Sequence, residues 1–257
     1  IWNNGTTFSQ QQFTEQVAAH GACLDDINGD GKMDILAAGY FGASVLYINN
    51  GNRSFTADTT TLNNNWFATC GVIHQANGDI NILMGNNRNL AGYNSVIAIY
   101  NNSLQFQNYV GVNSSTNEDL INSAVFDANG DGHKDFVMAL SNNYPTLPSR
   151  RVLQNSGVNT YIDGQQLDTL GSEYFTLVTT LPDGTPAVFL PETSGGSRLY
   201  YVNNGTMVAY KPTAFADMAG TNRVLITSVY KNSTTGKIYM LQLLNDGNNS
   251  TFKTREM

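Results

Sequence analysis

The amino-acid sequence predicts an all-β protein, a β-propeller of four-stranded blades, and three observations lead there. A tail motif of apolar residues followed by Asn and usually Gly recurs six times, at spacings of 42 to 54 residues, which is the length of one propeller blade. Short, continuous apolar runs lie between the tails, as expected of strands that are buried on both faces. No stretch of the chain reads as an amphipathic helix. We therefore expect five full repeats, preceded by a partial repeat over Ile1–Phe13.

Each tail is predicted to end one strand and to turn into the next. Asn-Gly and Asp-Gly pairs between apolar strands favour hairpins, because both central positions of the turn accept a positive φ. An aromatic strand follows most of the tails. The tails end at Gly5, Gly51, Ser103, Gly157, Gly205 and Gly247.

Within each unit we expect the same order: a strand, a loop, a fully apolar strand, a turn, the tail strand and an aromatic outer strand. The apolar strands supply the blade interiors because they are short and rich in β-forming residues. They are Ile35–Ala38, Ile82–Met84, Phe136–Leu140, Ala187–Leu190 and Val224–Ile226.

Two of the loops carry the pattern D-x-N-x-D-G-x-x-D, at Asp26–Asp34 and Asp127–Asp135. Side-chain oxygens at positions 1, 3, 5 and 9 of a tight loop suit a hard cation, above all Ca²⁺. The Gly after the third of these residues permits the positive φ that folds the loop. An EF-hand would need a Glu at position 12 and flanking helices, whereas position 12 is Ala37 or Met138. We therefore predict two calcium loops of a β-protein.

The equivalent places in the other units lack enough carboxylates. His74–Asn81 is shortened, Leu181–Pro186 reads as an ordinary tight turn, and Met218–Arg223 has no cation ligands. The two acidic loops begin 101 residues apart, which is two repeats. The repeat is therefore a structural unit, and calcium is predicted in two units of five.

The acidic loop, the apolar strand and the Leu-Tyr-x-Asn-Asn-Gly tail together resemble the FG-GAP/VCBS repeat of integrin α-subunit propellers and of secreted bacterial and fungal proteins, including propeller lectins. The resemblance covers nearly the whole chain and is most specific in the two acidic units. It implies one propeller domain over residues 1–257 with Ca²⁺ between blade strands. The implied ligands are Asp26, Asn28, Asp30, the carbonyl of Lys32 and Asp34, and Asp127, Asn129, Asp131, the carbonyl of His133 and Asp135.

Integrin-type propellers usually have seven blades, whereas this chain has material for about five and a half. The departure leaves open a truncation, residues upstream of Ile1 or an unusual blade number. Since the chain begins at Ile rather than Met, we expect a processed product or part of a longer chain.

The acidity of the chain limits the classes of partner that it can bind. The formal net charge is −7, with no cluster of Lys and Arg, so nucleic acid and anionic membranes are poor candidates. Two bound Ca²⁺ ions would bring the net charge from −7 to −3, so we expect part of the acidity to serve metal binding. No apolar run approaches the length of a membrane helix, so we expect no membrane insertion.

The sequence favours recognition over catalysis. It contains no G-x-S-x-G or H-E-x-x-H motif, and its three histidines, His20, His74 and His133, lie in different units. We expect no enzyme activity and no zinc site. Aromatic residues in turn-rich stretches could instead contact a ligand, and they are Trp2, Tyr40, Phe41, Trp66, Tyr93, Tyr144 and Tyr174.

An extracellular location is expected, because calcium loops of modest affinity suit the calcium-rich exterior. Eight N-x-S/T sequons agree with surface exposure, at Asn4, Asn52, Asn101, Asn113, Asn204, Asn232, Asn248 and Asn249. Cys23 and Cys70 occupy comparable places in neighbouring units, which are usually too far apart for a disulfide. The sequence therefore favours two free, buried thiols.

The expected function is that of an extracellular recognition module that mediates adhesion or ligand binding, with a protein or a glycan as the ligand. A carbohydrate-binding lectin and an accessory domain of a secreted polysaccharide-acting enzyme are the alternatives. Repeated lectin pockets should show the same polar and aromatic set in every unit. Only the tail repeats in this chain, which counts against a multivalent lectin.

Overall fold

The computed structural model describes residues 2–3, 5–15, 17, 19–39, 42–62, 67–85, 95–113, 120–140, 150–168, 177–181, 184–190, 198–210, 223–232, 234–245 and 250–256. Strands and turns make up these ranges, with no helix among them. The chain divides into two compact units, Ile1–Thr116 and Asn117–Met257. The expectation of one domain over residues 1–257 stays a prediction.

The first unit holds a short hairpin and two four-stranded sheets. In each sheet the strands pair antiparallel in chain order, so the chain forms a simple meander. The hairpin is β1 (Trp2–Asn3) and β2 (Phe8–Ser9); the first sheet is β3 (Ala19–Asp25), β4 (Asp34–Gly39), β5 (Val45–Gly51) and β6 (Ser54–Asp58); the second is β7 (Thr69–His74), β8 (Ile80–Gly85), β9 (Ser95–Tyr100) and β10 (Phe106–Asn113).

The second unit repeats the same antiparallel meander. Two of its sheets have four strands, and the described residues of the last sheet form three. The strands are β11 (Leu120–Phe126), β12 (Asp135–Leu140), β13 (Arg150–Gly157) and β14 (Thr160–Asp168); β15 (Leu177–Thr180), β16 (Pro186–Leu190), β17 (Arg198–Asn203) and β18 (Thr206–Tyr210); and β19 (Arg223–Lys231), β20 (Ile238–Asn245) and β21 (Ser250–Glu256).

These elements confirm the all-β class and the predicted strand order. The predicted apolar strands coincide with β4, β8, β12 and β16, and the fifth lies within β19. Every residue of β8 is buried, as expected of a strand covered on both faces. The buried side chains pack across sheet boundaries, because one apolar cluster joins β4 and β5 to β8 and β9 and another joins β12 to β16.

The prediction of two free thiols is wrong: Cys23 in β3 and Cys70 in β7 form a disulfide, with Cα atoms 6.0 Å apart. The first strands of the two sheets approach very closely. A Cβ atom added to Gly21 would lie only 2.7 Å from the carbonyl oxygen of Ala68. The two cysteines are offset by two register positions, because Cys23 pairs with Leu36 whereas Cys70 pairs with Met84. With this offset the first strands of neighbouring sheets are near enough for a disulfide, whose usual Cα spacing is about 4.4–6.8 Å.

The tail hairpins follow the predicted turn chemistry at one place and depart from it at two. Asn204 and Gly205 form the two-residue turn with φ of 50° and 75°, as expected for Asn-Gly. Two other turns are centred two residues later than predicted, on Asn52–Arg53 and Val158–Asn159. Each of these two tails contains a register shift, between Asn49 and Gly51 and between Asn155 and Gly157. Such a shift is a β-bulge, which adds a residue to one strand.

Candidate cation-binding loops

The first acidic loop joins β3 to β4 and is folded by its own side chains. The Asp26 carboxylate accepts hydrogen bonds from the backbone N–H groups of Asp30 at 2.9 Å and Gly31 at 2.8 Å. The Asn28 side-chain oxygen accepts from Asp30 N–H at 3.0 Å, and Asp30 Oδ1 accepts from Lys32 N–H at 3.0 Å. The side chains at positions 1, 3 and 5 therefore hold the backbone of the loop in a tight curve.

The second acidic loop joins β11 to β12 and has the same construction. The Asp127 carboxylate accepts from the N–H groups of Gly130, at 2.6 Å, and Gly132, at 2.9 Å. Asn129 Oδ1 accepts from Asp131 N–H at 3.0 Å, and Asp131 Oδ1 accepts from His133 N–H at 2.8 Å. In both loops the predicted Gly has a positive φ, 83° at Gly31 and 90° at Gly132.

The ninth-position carboxylates are the buried part of the loops, since Asp34 and Asp135 are both 0% exposed. Asp34 Oδ2 accepts from Ile27 N–H at 3.0 Å and from Asn28 N–H at 3.3 Å, and Asp135 Oδ2 accepts from Ala128 N–H at 2.9 Å. The second oxygen of each takes a backbone N–H from the tail strand. Asn49 donates to Asp34 Oδ1 and Asn155 donates to Asp135 Oδ1, both at 2.8 Å.

The acids of the loops respond differently to their surroundings. The ammonium group of Lys32 lies 2.7 Å from Asp30 Oδ2, and this hydrogen bond lowers the pKa of Asp30. The backbone N–H of His133 lowers the pKa of Asp131. Burial raises the pKa of Asp135, and the nearby charges of Asp131 and Asp127 act in the same direction. The exposed side of each loop is therefore anionic, and it attracts positive charge.

The donor set fits a hard cation by its chemistry. Carboxylate and amide oxygens at positions 1, 3 and 5, with a carbonyl at position 7, are the ligands that Ca²⁺ prefers, and in the first loop an ammonium already sits against Asp30. Within the described residues, however, no three His, Cys, Asp or Glu side chains form a ready-made metal cluster. The ninth-position acids face the backbone of their sheets instead. The predicted ligand set stays a prediction.

Sequence reasoning missed the role of Asn49 and Asn155. Both residues belong to the recurring tail, which we interpreted as turn chemistry alone. Their N–H groups reach the buried acids from 15 and 20 residues away. One signal was available in the sequence: in both units a single apolar strand separates the acidic loop from the tail.

Two of the remaining units have short turns where the acidic loops would be. Gly78 N–H donates to the carbonyl of Gln75 at 2.9 Å, and Gly184 N–H donates to the carbonyl of Leu181 at 2.9 Å. These bonds agree with the shortened loop predicted at His74–Asn81 and with the tight turn predicted at Leu181–Pro186. The expected lack of a cation at both places stays a prediction. The third such place, residues 218–222, lies outside the described residues.

The other predicted contact residues are placed only in part. His20, His74 and His133 lie in β3, at the end of β7 and in the second acidic loop, and His74 Nε2 lies 3.5 Å from Asp25 Oδ1. Trp2 lies in β1, where its side chain is not described. The other aromatic candidates lie outside the described residues, at positions 40, 41, 66, 93, 144 and 174.

The described sheets are antiparallel meanders, and two of them have an acidic loop between their first and second strands. This combination places the chain in the class of β-proteins that are built from repeats. Residues 26–79 match the family model of the FG-GAP-like repeat. The match runs from the first acidic loop to the end of the short turn in the next unit. Residues 26–79 thus carry a repeat of the FG-GAP type, as the sequence predicts for this part of the chain.

The structure is also similar to solved structures. One is the crystal structure of BBS1N in complex with ARL6DN, at 11% identity and a TM-score of 0.45, covering 92% of this chain and 67% of that one. Another is the biofilm matrix protein Bap1 of V. cholerae, at 16% identity and a TM-score of 0.45, covering 97% of this chain and 40% of Bap1. A comparison with curated proteins finds no match. The described part of the chain contains no helix with the length and hydrophobicity that a membrane span requires.

Proposed function

We propose that this protein is an extracellular recognition module, a β-propeller stabilised by two Ca²⁺ ions, which binds a protein or glycan ligand and has no enzyme activity. The observation that carries the proposal is the matching construction of Asp26–Asp34 and Asp127–Asp135. In both loops the side chains at positions 1, 3 and 5 accept backbone N–H groups of the loop, and the acid at position 9 is buried. A loop of this kind, present twice in one chain, suits a structural cation site that connects strands of a repeated scaffold.

The propeller is supported by topology within each unit. All the sheets are antiparallel meanders in chain order, as propeller blades are. First strands of neighbouring sheets contact each other, β3 with β7 in the first unit and β11 with β15 in the second. Inner strands that lie side by side are expected where blades surround a common centre. We infer five blades and part of a sixth.

Calcium in this proposal is structural. Its ligands are the side chains of Asp26, Asn28, Asp30 and Asp34 with the carbonyl of Lys32, and the corresponding set from Asp127 to Asp135. The ion supplies positive charge that offsets the repulsion among three carboxylates in one loop. Because the folded loop binds the ion and the unfolded chain does not, calcium stabilises the folded state.

The extracellular location is supported by the Cys23–Cys70 disulfide, because disulfides persist in oxidising compartments. Two sequons lie at exposed hairpin turns, at Asn52 and Asn204. Both observations agree with a protein that folds in a secretory compartment and works outside the cell.

A binding experiment tests the recognition role. The disulfide-intact protein is immobilised with calcium present and exposed to a glycan array and to a panel of extracellular proteins. Retention of one ligand class, lost when calcium is removed, would support the proposal and choose between protein and glycan. Turnover of a polysaccharide without stable retention would contradict it and favour an enzyme or its accessory domain.

A further inference from the structure

We infer that Asn49 and Asn155 are the positioning residues of the two cation-binding loops. Each would hold the buried ninth-position carboxylate and the eighth-position carbonyl from the neighbouring tail strand. The inference rests on the calcium sites of the proposed function. Neither residue is among the ligands that the family resemblance implies.

Asn49 uses its backbone and both ends of its side chain. Its backbone N–H donates to Asp34 Oδ1 at 2.8 Å, and its side-chain amide donates to the carbonyl of Met33 at 3.0 Å. Its side-chain oxygen accepts from Gly51 N–H at 2.9 Å. The last bond spans the β-bulge between Asn49 and Gly51, so the side chain fixes the bulge that aims the N–H at the acid.

Asn155 makes the same three contacts in the second unit. Its N–H donates to Asp135 Oδ1 at 2.8 Å, and its side-chain amide donates to the carbonyl of Lys134 at 3.2 Å. Its side-chain oxygen accepts from Gly157 N–H at 3.4 Å, again across a register shift. The arrangement is therefore present in both loop-bearing sheets.

Tail residues of sheets without an acidic loop do something else. Ile80 pairs with His74 as Asp34 pairs with Asp25, so an apolar residue stands at the register position of the acid. There Asn101 keeps the side-chain contact to the N–H two residues on, from Ser103. Its own N–H and its side-chain amide donate to the carbonyl and the side-chain oxygen of Gln105, at 3.0 and 3.1 Å, and so to its own turn. The pairing of β17 with β18 passes from Val202 to Asn203 without a register shift. The β9–β10 pair also has a register shift, but it lies in the outer strand, between Phe106 and Asn108. A bulge that begins at the tail Asn itself is found in the two sheets with the buried acid.

Loss of the side chain frees the bulge and leaves a loop carbonyl without its donor. The last three residues of the loop then have to be ordered when the ion binds, which costs affinity. Residues that orient metal ligands typically contribute about 10- to 100-fold in metal affinity. The effect should be confined to the loop that each Asn contacts.

The test is calcium titration by calorimetry of decalcified, disulfide-intact protein. Asp127→Ala silences the second loop, so that Asn49→Ala and its matched control Asn50→Ala report on the first loop alone. Asn50 lies in the same bulge, but its side chain donates to Thr56. The reciprocal set uses Asp26→Ala with Asn155→Ala and the control Ser156→Ala. We expect affinity to fall about 10- to 100-fold for the two tail Asn variants and to be unchanged for the controls.

Equal affinity in Asn49→Ala and Asn50→Ala, while the parent protein binds calcium, would overturn this inference alone. A parent protein that binds no calcium would overturn the proposed sites and this inference with them. Circular dichroism confirms that each variant is folded. Asn49→Ser, which keeps a hydroxyl that can accept the Gly51 N–H but loses the amide that donates to the carbonyl of Met33, should give an intermediate affinity. Affinity as low as that of Asn49→Ala would count against the role of the bulge, and affinity equal to the parent protein's would count against the contact with Met33.

Discussion

At the residue scale, Asp34 and Asp135 are the most informative side chains of the protein. A fully buried carboxylate is costly unless it is hydrogen-bonded, and each of these accepts backbone N–H groups on both oxygens. Through these bonds they connect the acidic loop to the tail strand. The acids at position 1 are half-buried and those at position 5 are exposed; their hydrogen bonds are to N–H groups of the loop itself, and they leave the loop anionic.

Asp34→Ala should lower the free energy of unfolding by about 3 kcal/mol even without calcium. The reason is that three buried or half-buried N–H groups lose their acceptor, and each unsatisfied group costs about 1–3 kcal/mol. In calcium it should also remove one bound ion. Urea unfolding with and without EDTA measures both effects. Met33→Ala is the control, because Met33 is adjacent and 53% exposed; equal loss in both variants would contradict the role of Asp34.

Asp58 should make stability depend on acid pH. Burial raises the pKa of Asp58, but the hydrogen bonds from the Thr61 and Thr60 hydroxyls and N–H groups outweigh it, and the net pKa is lowered. A lowered pKa means that the contribution is present above the unfolded value of about 3.9 and is lost as pH falls through the folded pKa. We expect Asp58→Asn to be less stable than the parent at pH 6, with a smaller difference below pH 3. A pH-independent difference in urea unfolding would contradict this.

At the element scale, the close approach of β3 and β7 determines how the first unit is cross-linked. The disulfide joins the first strands of two sheets, 47 residues apart in the chain. A loop of that length constrains the unfolded chain substantially, and the entropic estimate is about 4 kcal/mol. The apolar cluster that spans the same two sheets stabilises the boundary as well.

Reduction should therefore lower the melting temperature of the protein. The double variant Cys23→Ala and Cys70→Ala should melt at the reduced protein's temperature and should not respond to reductant. Ala124 is buried at the position in β11 that corresponds to Cys23 in β3. An alanine therefore fits at the Cys23 position. Thiol titration of unreduced, denatured protein that finds two free thiols would contradict the disulfide.

Local patterns made most of the fold predictable from the sequence. Apolar runs predicted the strands and their order, and the glycines at Gly31 and Gly132 predicted the turns of the loops. The disulfide was not predictable, because the distance between Cys23 and Cys70 depends on how two sheets pack. The bulges at Asn49 and Asn155 were missed for a related reason. Their turns are shifted because the N–H of the tail Asn donates to a buried acid on another strand. Local sequence preferences give no indication of such a long-range bond.

At the scale of the whole molecule, the repeated scaffold is proposed to need calcium for its full stability. The net charge of −7 favours cation binding in general, whereas the two loops localise it. Only a site that exists in the folded state stabilises that state. Calcium should therefore act on folding, and only through folding on any ligand that the protein binds.

The most direct measurement is the melting temperature of the disulfide-intact protein with excess calcium and after chelation. Each site that is saturated about 100-fold over its Kd stabilises the folded state by about 2.7 kcal/mol, so chelation should lower the melting temperature by about 5 °C or more. Added calcium should restore it, with two ions bound per chain. Asp26→Ala combined with Asp127→Ala should abolish the response. An unchanged melting temperature in EDTA, with no calcium bound, would contradict the account.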